Sequence, residues 1–203
     1  FEREVNQVVR LLSLLDDEDL CSIYGTSQEK SEIFHRQNQD IFKSHCAKAI
    51  ERYTGVVYEY IDWETLNKSA KDYMENHIRI FSGLFGMLTP NTLIPNYKLK
   101  MNVLKLYKFW QPFLTESLDK IDYIIDILPQ IHKKAYLQNE KCINLEFIIE
   151  KNKKRIPAGH FGKVVKGKFI HFVCKNQLIN LDDFKQFEFD GFKWDGKVFL
   201  KKI

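Results

Sequence analysis

Several patterns that would point directly to a function are missing from this 203-residue sequence. It has no run of about eighteen apolar residues, which excludes an ordinary transmembrane helix, and no signal-peptide pattern is visible. Its four cysteines include no CxxC pair and its six histidines no HxH or HxxxH pair, so we expect neither a metal site nor a cofactor. Widely spaced thiols of this kind are typical of a protein that stays in the reducing cytoplasm.

No complete catalytic motif is present either. Residues 162–168 have the G-x-x-x-x-G-K spacing of a phosphate-binding loop, but Phe169 occupies the position where such a loop needs Ser or Thr to reach magnesium. Ser82 lies in a glycine-flanked turn without the G-x-S-x-G pattern of a nucleophilic serine, so we expect its hydroxyl to cap the turn. The catalytic residues, and whether the chain is an enzyme at all, therefore stay open.

The composition allows a hydrophobic core, and the charges are unevenly spread. Apolar residues make up 44% of the chain and aromatic residues 14%, which is enough for such a core. The net charge is only +4, yet residues 151–175 contain eight Lys or Arg and no Asp or Glu, whereas residues 16–19 are all acidic. A basic stretch of this kind contacts phosphates, contacts an acidic partner, or forms solvated surface, and charge alone does not decide between these.

Hydrophobic periodicity predicts a mixture of helices and short strands. A helical pattern covers residues 1–24, where a short second helix that ends at Gly25 is also predicted. Further helices are predicted over 29–53, 62–76, 103–119 and 164–176, with a short one from Asp182. Strands are predicted at 78–81, 97–101, 121–128 and 142–150, with a turn and a helical turn over 83–88 and a closing hairpin over 187–200 that turns at Asp195-Gly196. Residues 56–60 fit a strand or a helical turn, and residues 151–155 fit a hairpin or a loop. We expect the α+β class, with residues 1–203 as a single mixed domain of short strands surrounded by helices.

The most informative stretch lies at residues 77–110. Two glycines three residues apart, Gly83 and Gly86, follow a short apolar run, and glycines there allow positive φ or close backbone approach. The stretch includes Arg79-Ile80-Phe81-Ser82-Gly83-Leu84-Phe85-Gly86, then Pro95-Asn96-Tyr97-Lys98-Leu99-Lys100-Met101, then Leu106-Tyr107-Lys108-Phe109-Trp110. This order closely resembles the bacterial YaaA family of peroxide stress proteins, also called DUF328 or UPF0246.

The resemblance covers most of the chain, from about residue 30 to the end. Gly55 and Tyr58 match a glycine and a tyrosine that precede the central motif in the family, and residues 189–194 match its closing aromatic-Asp-Gly-Phe-x-aromatic pattern. Residues 163–167 are similar to the family's Lys-x-x-Arg-Gly motif. Lys166 replaces the arginine there, which keeps the charge but loses the bidentate guanidinium.

Two segments of the family differ in this chain. The apolar strand and the Ser-Pro motif with which the family begins are missing. Because the chain starts without Met and inside a helical pattern, we expect it to be N-terminally truncated. The family's Asn-Leu-Ala-Ser-x-Glu-Tyr segment corresponds to residues 127–132, which lack its Ser and its Glu.

By resemblance, the chain is expected to be a cytoplasmic protein of the peroxide stress response that binds DNA electrostatically through a basic cleft, without membrane association. Six residues would contact nucleic acid or phosphate in that cleft: Arg79, Ser82, Gly83, Lys98, Lys163 and Lys166. An alternative is an enzyme that acts on a nucleotide or a nucleic-acid base and holds the phosphate in the same cleft. A third reading is an interaction module that binds no nucleic acid, and the oligomeric state stays open.

Overall fold

The computed structural model describes the backbone of all 203 residues and every side chain except that of Asp17. The α-helices are α1 Glu2–Ser13, α2 Leu20–Tyr24, α3 Gln28–Gln39, α4 Ala49–Arg52, α5 Val56–Ile61, α6 Lys68–His77, α7 Leu106–Leu118, α8 Gln130–Lys133, α9 Gly159–Asn176 and α10 Leu181–Phe184. The β-strands are β1 Cys46–Lys48, β2 Ile80–Ser82, β3 Gly86–Leu88, β4 Leu93–Pro95, β5 Ile124–Asp126, β6 Cys142–Asn144, β7 Phe147–Lys151, β8 Lys154–Pro157, β9 Lys193–Trp194 and β10 Phe199–Lys202. Single turns of 3₁₀-helix lie at Asp17–Asp19, Ile41–Lys43, Trp63–Thr65 and Val103–Lys105. This mixture confirms the predicted α+β class.

Contacts between Cα atoms divide the chain into two compact units. The first unit contains Phe1–Arg52, Arg79–Ile124 and Leu128–Cys142, and the second contains Tyr53–Ile78, Ile125–Ile127 and Ile143–Ile203. Each unit is therefore assembled from segments that are far apart in the sequence. The single domain predicted over residues 1–203 stays a prediction.

The first unit is built on two amphipathic helices and two small antiparallel sheets. Both α1 and α7 bury one face in the same hydrophobic cluster: Val5, Val8 and Leu12 from α1, and Leu106, Trp110, Leu114 and Leu118 from α7. The spacing of three or four residues is that of a single helical face. The strands pair as β1 with β4 and β2 with β3, and the second pair is a hairpin in which Ser82 faces Gly86.

The second unit contains a four-stranded sheet in the order β8-β7-β10-β9, in which β7 and β10 are parallel and the outer pairs are antiparallel. Helix α9 packs its apolar face on this sheet. The rings of Phe147 and Phe199, from β7 and β10, stack at 5.2 Å, and Phe169 of α9 lies 5.9 and 5.6 Å from them. Phe169 is therefore a core residue. The predicted closing hairpin is confirmed, with Trp194 facing Phe199.

Three local predictions were wrong. Residues 29–53 do not form one helix, because α3 ends at Gln39 and Cys46–Lys48 pairs with Leu93–Pro95, a distant partner that local periodicity does not show. Residues 97–101 form no strand, since the backbone of Lys98 bonds to a side chain instead. The segment after Gly83 turns into β3 rather than a helical turn. Residues 56–60, which fitted a strand or a helical turn, lie in helix α5. Residues 151–155, which fitted a hairpin or a loop, belong to the β7–β8 hairpin.

Helices α5 and α9 approach each other closely at Gly167. A Cβ at this position would lie 2.5 Å from the carbonyl oxygen of Val57 and 2.6 Å from Cβ of Tyr60. About one turn further along α9, Nδ1 of His171 lies 2.8 Å from the carbonyl oxygen of Ile61. The absence of a side chain at Gly167 therefore permits this helix pair.

Gly167→Ala is expected to lower the free energy of unfolding by about 1–3 kcal/mol, the usual range for overpacking a core, because the added methyl group meets backbone atoms that cannot rotate away. Equilibrium urea denaturation measures this difference. Gly162→Ala on the same helix is the matched control: its Cβ would meet only Cβ of Ala158, at 3.3 Å, and alanine is the better helix former. Equal loss of stability in both variants would contradict the role of Gly167.

Candidate phosphate-binding residues

Ser82 caps the loop of the β2–β3 hairpin. Its Oγ accepts hydrogen bonds from the backbone N–H of Leu84 at 3.2 Å and of Phe85 at 2.8 Å, and it lies 2.7 Å from the hydroxyl of Tyr97. The residue is 2% exposed. A phosphate could bind Ser82 directly only if one of these bonds were given up, so the visible contribution of the hydroxyl is to fix the loop.

The two glycines of the central motif have different structural roles: Gly83 allows close backbone contact, and Gly86 adopts a positive φ. At Gly83 a Cβ would lie 2.6 Å from the carbonyl oxygen of Leu99, so the backbone of the loop and that of the 97–101 segment are in close contact. Gly86 has φ of +73°, a conformation that favours glycine, and a Cβ there would lie 2.7 Å from the ring of Trp110. The indole Nε1 of Trp110 donates a hydrogen bond to the Gly83 carbonyl oxygen at 2.9 Å.

Arg79 is exposed just before β2 and lines a pocket of about 380 Å³ within the first unit. The walls of this pocket are largely apolar and include Phe42, Phe85 and Met87, while Glu2 brings a carboxylate to its lining. Aromatic walls with one guanidinium suit a flat ring that carries an anionic group.

Lys98 is half-buried, with its ammonium 4.9 Å from the centre of the Phe34 ring. Its backbone is held by Asn38, whose Nδ2 donates to the Lys98 carbonyl at 2.9 Å and whose Oδ1 accepts from the Lys98 N–H at 3.3 Å. Asn38 was missed by sequence reasoning. The available signal was that α3 buries polar residues at helical spacing, namely Ser31, His35 and Asn38.

The two lysines predicted on α9 differ in their surroundings. Lys163 is exposed in the second turn of the helix. Lys166 is half-buried, and its Nζ donates a 2.5 Å hydrogen bond to the carbonyl oxygen of Ile127, which follows β5 in the second unit. Lys168, also half-buried, places its Nζ 5.6 Å from the centre of the Tyr60 ring. Lys163 is thus the lysine of this trio that extends into solvent, while the other two pack on protein groups.

One thiol and one imidazole have pKa values that are shifted by burial in the part of the chain whose side chains are described. Burial raises the pKa of Cys174 to about 12, which keeps this thiol protonated and weakly nucleophilic at neutral pH. Burial also lowers the pKa of His132, and no partner for its Nδ1 is found among the described groups. No set of three His, Cys, Asp or Glu in that part is placed to hold a metal ion. None of its helices is long and apolar enough to cross a membrane.

Ser82→Ala is expected to destabilise the protein by about 1–3 kcal/mol, because it leaves buried N–H groups of the loop without an acceptor. Thermal and urea unfolding measure this loss. Tyr97→Phe removes the hydroxyl partner of Ser82 but leaves the acceptor of the two loop N–H groups in place, so it should cost less, about 1 kcal/mol. A Ser82→Ala protein with unchanged stability and weakened DNA binding would instead make the serine a direct ligand.

Comparison with known proteins agrees with the motif of the first unit. The model of the family described as peroxide stress protein YaaA matches residues 1–198. A UPF0246 protein of Finegoldia magna is 27% identical over an alignment of 212 residues that covers all of this chain and 86% of that protein. A UPF0246 protein of Lactobacillus helveticus is 29% identical over 193 residues, with 85% and 75% covered, and an uncharacterized protein of Campylobacter jejuni is 29% identical over 170 residues, with 80% and 67% covered. The chain belongs to the peroxide stress protein YaaA family.

Proposed function

We propose that this chain acts in the peroxide stress response of the bacterial cytoplasm by binding DNA. The proposed phosphate-binding region contains Arg79, Ser82, Gly83 and Lys98 in the first unit and Lys163 and Lys166 in the second. Membership of the YaaA family supports the link to peroxide stress, and the basic stretch suits a phosphate-bearing partner such as DNA. No association with a membrane is proposed.

The observation that carries the proposal is the run of basic residues between 151 and 175, which contains no Asp or Glu. Helix α9 lies within this run, has no acidic residue in its first turn, and exposes Lys163. A DNA backbone binds through several cations at once, because each neutralised phosphate releases condensed counterions. An exposed lysine on a helix without nearby carboxylates in the sequence suits that mode of binding.

The six residues take different parts in this proposal. Arg79 and Lys163 are exposed, so they make the direct phosphate contacts. Lys98 and Lys166 are half-buried and add positive potential from fixed positions. Ser82 and Gly83 are buried and shape the hairpin loop that follows Arg79. Binding of this kind recognises the backbone and the shape of DNA rather than base edges.

A second candidate function is favoured by the pocket of the first unit. Arg79 together with the rings of Phe42 and Phe85 lines this pocket, and its volume of about 380 Å³ lies within the range of small-molecule sites. An enzyme that acts on a nucleotide or a nucleic-acid base would use the guanidinium for the phosphate and the rings for the base. No general base or nucleophile is assigned to it.

Charge reversal at one residue of each unit tests the DNA proposal. In a fluorescence-anisotropy titration with labelled duplex DNA, Arg79→Glu and Lys163→Glu are each expected to weaken binding by about tenfold and to lower the slope of log K against log salt by about one or two. The matched controls are Lys43→Glu in the first unit and Lys193→Glu in the second, both surface lysines that already face a carboxylate. Absence of salt-dependent binding by the unmodified protein would contradict the proposal.

The same titration separates the two candidate functions when adenosine monophosphate is added as a competitor. A DNA-binding protein should release duplex DNA only at millimolar nucleotide, because a single phosphate replaces few of the contacts. A nucleotide-binding pocket at Arg79 should instead bind the mononucleotide directly, with Arg79→Glu abolishing that binding and Lys163→Glu leaving it unchanged.

A further inference from the structure

The β7–β8 hairpin ends in a tight two-residue loop. Lys151 and Lys154 are the last pair of its ladder, and Asn152 and Lys153 form the connection between them. Both connecting residues have positive φ, 51° and 62°, as in the type I′ turn that fits the right-handed twist of paired strands. The tip is therefore a defined structure, and residues 151–157 are all exposed.

This end of the sheet carries lysines that have no ion pair. Because β10 runs parallel to β7 with Lys202 beside Glu150, the end of β10 lies beside the base of the hairpin tip. Four exposed lysines form what we call the lysine end of the sheet: Lys151, Lys153, Lys154 and Lys202. Among the side chains that the structure describes, none of the four lies within ion-pair distance of a carboxylate. Arg155 already binds Glu150 at 3.3 Å and Asp195 at 2.9 Å.

Protection of the sheet edge does not account for the lysine in the loop. Lysines on an edge strand prevent pairing with another chain, and Lys154 on β8 serves that purpose. Lys202 lies beyond the two residues of β10 that pair with β9, so it also lies at an open edge. Lys153, however, lies in the loop, beyond the last pair of the ladder. The second loop position of a type I′ turn favours glycine, yet this chain has a lysine there with φ of 62°. A lysine is thus present at a position where the backbone conformation alone favours glycine.

We propose that the lysine end of the sheet binds the phosphate backbone of DNA; this inference rests on the proposed function and adds a second contact surface to it. Lys151 and Lys154 are cross-strand partners and point to one face of the sheet, whereas Lys202, the partner of Glu150, points to the other. Neighbouring strands lie about 4.8 Å apart, so Lys151, Lys153 and Lys154 spread their ammonium groups over roughly 5–10 Å at the hairpin tip. That spread suits several phosphates of one duplex. Lysine is a compact charge without the planar fork that reads guanine, so the contact carries no base preference.

The test is a triple variant, Lys151→Gln/Lys153→Gly/Lys154→Gln, titrated with labelled duplex DNA between 50 and 200 mM salt. Loss of three phosphate contacts should lower the slope of log K against log salt by about 2.7 and weaken binding at least tenfold. The matched control is Lys43→Gln/Lys185→Gln/Lys193→Gln, which removes the same net charge from three surface lysines that already pair with carboxylates. It should retain the slope of the unmodified protein.

The single variant Lys153→Gly adds a readout that a purely structural lysine would not give. Glycine relieves the left-handed conformation, so the melting temperature should rise by roughly 2–4 °C, while DNA binding weakens several-fold. Opposite changes in stability and binding rule out misfolding as the cause of the weaker binding.

The outcomes separate the inference from the function on which it rests. If the unmodified protein binds DNA and the triple variant binds like its control, the lysine end is ordinary surface and the proposed function stands. If the triple variant loses binding while Arg79→Glu and Lys163→Glu do not, the lysine end is the DNA contact and the other assignments fall. If the unmodified protein shows no salt-dependent binding, both proposals are overturned.

Discussion

The indole of Trp110 holds the central motif of the first unit in place. Its N–H bonds to the carbonyl of Gly83, and its ring fills the space that a side chain at Gly86 would need. Gly83 in turn contacts the backbone of Leu99, so the hairpin loop, the 97–101 segment and helix α7 form one tightly packed arrangement. Because packed interiors have almost no spare volume, these contacts hold the backbone of the loop between Arg79 and Lys98 in one arrangement.

A glycine also permits close packing in the second unit, and there the packing determines which lysines are exposed. Gly167 lets α5 approach α9, and the lysines on either side of it, Lys166 and Lys168, then lie against a carbonyl oxygen and a tyrosine ring. Long lysine side chains commonly bury their aliphatic stems in this manner. Lys163, one turn earlier, lies outside this packing. The same basic sequence thus yields structural and solvent-facing lysines.

Local patterns in the sequence predicted much of the fold but little of the geometry of the candidate site. The α+β class, the turn at Asp195-Gly196 and the special role of Gly83 and Gly86 follow from periodicity and from backbone conformation, which depend on near neighbours. The central pair of strands β1 and β4, Ala47 and Ile94, joins residues 47 positions apart. The hydrogen bonds between Asn38 and the backbone of Lys98 join residues 60 positions apart. No local pattern encodes such contacts. The burial of Ser82 depends on the same long-range packing, so its motif alone does not separate a ligand from a cap.

Two places in the second unit concentrate positive charge. Helix α9 has no acidic residue in its first turn and a lysine in its second, although the partial positive charge at a helix N-terminus favours carboxylates there. The lysine end of the sheet adds four cations without ion pairs. Surface ion pairs contribute little to stability, so acidic neighbours would have been tolerated at either place and would have reduced the mutual repulsion. In the proposed complex, DNA phosphates would reduce that repulsion, and carboxylates at these positions would oppose the binding.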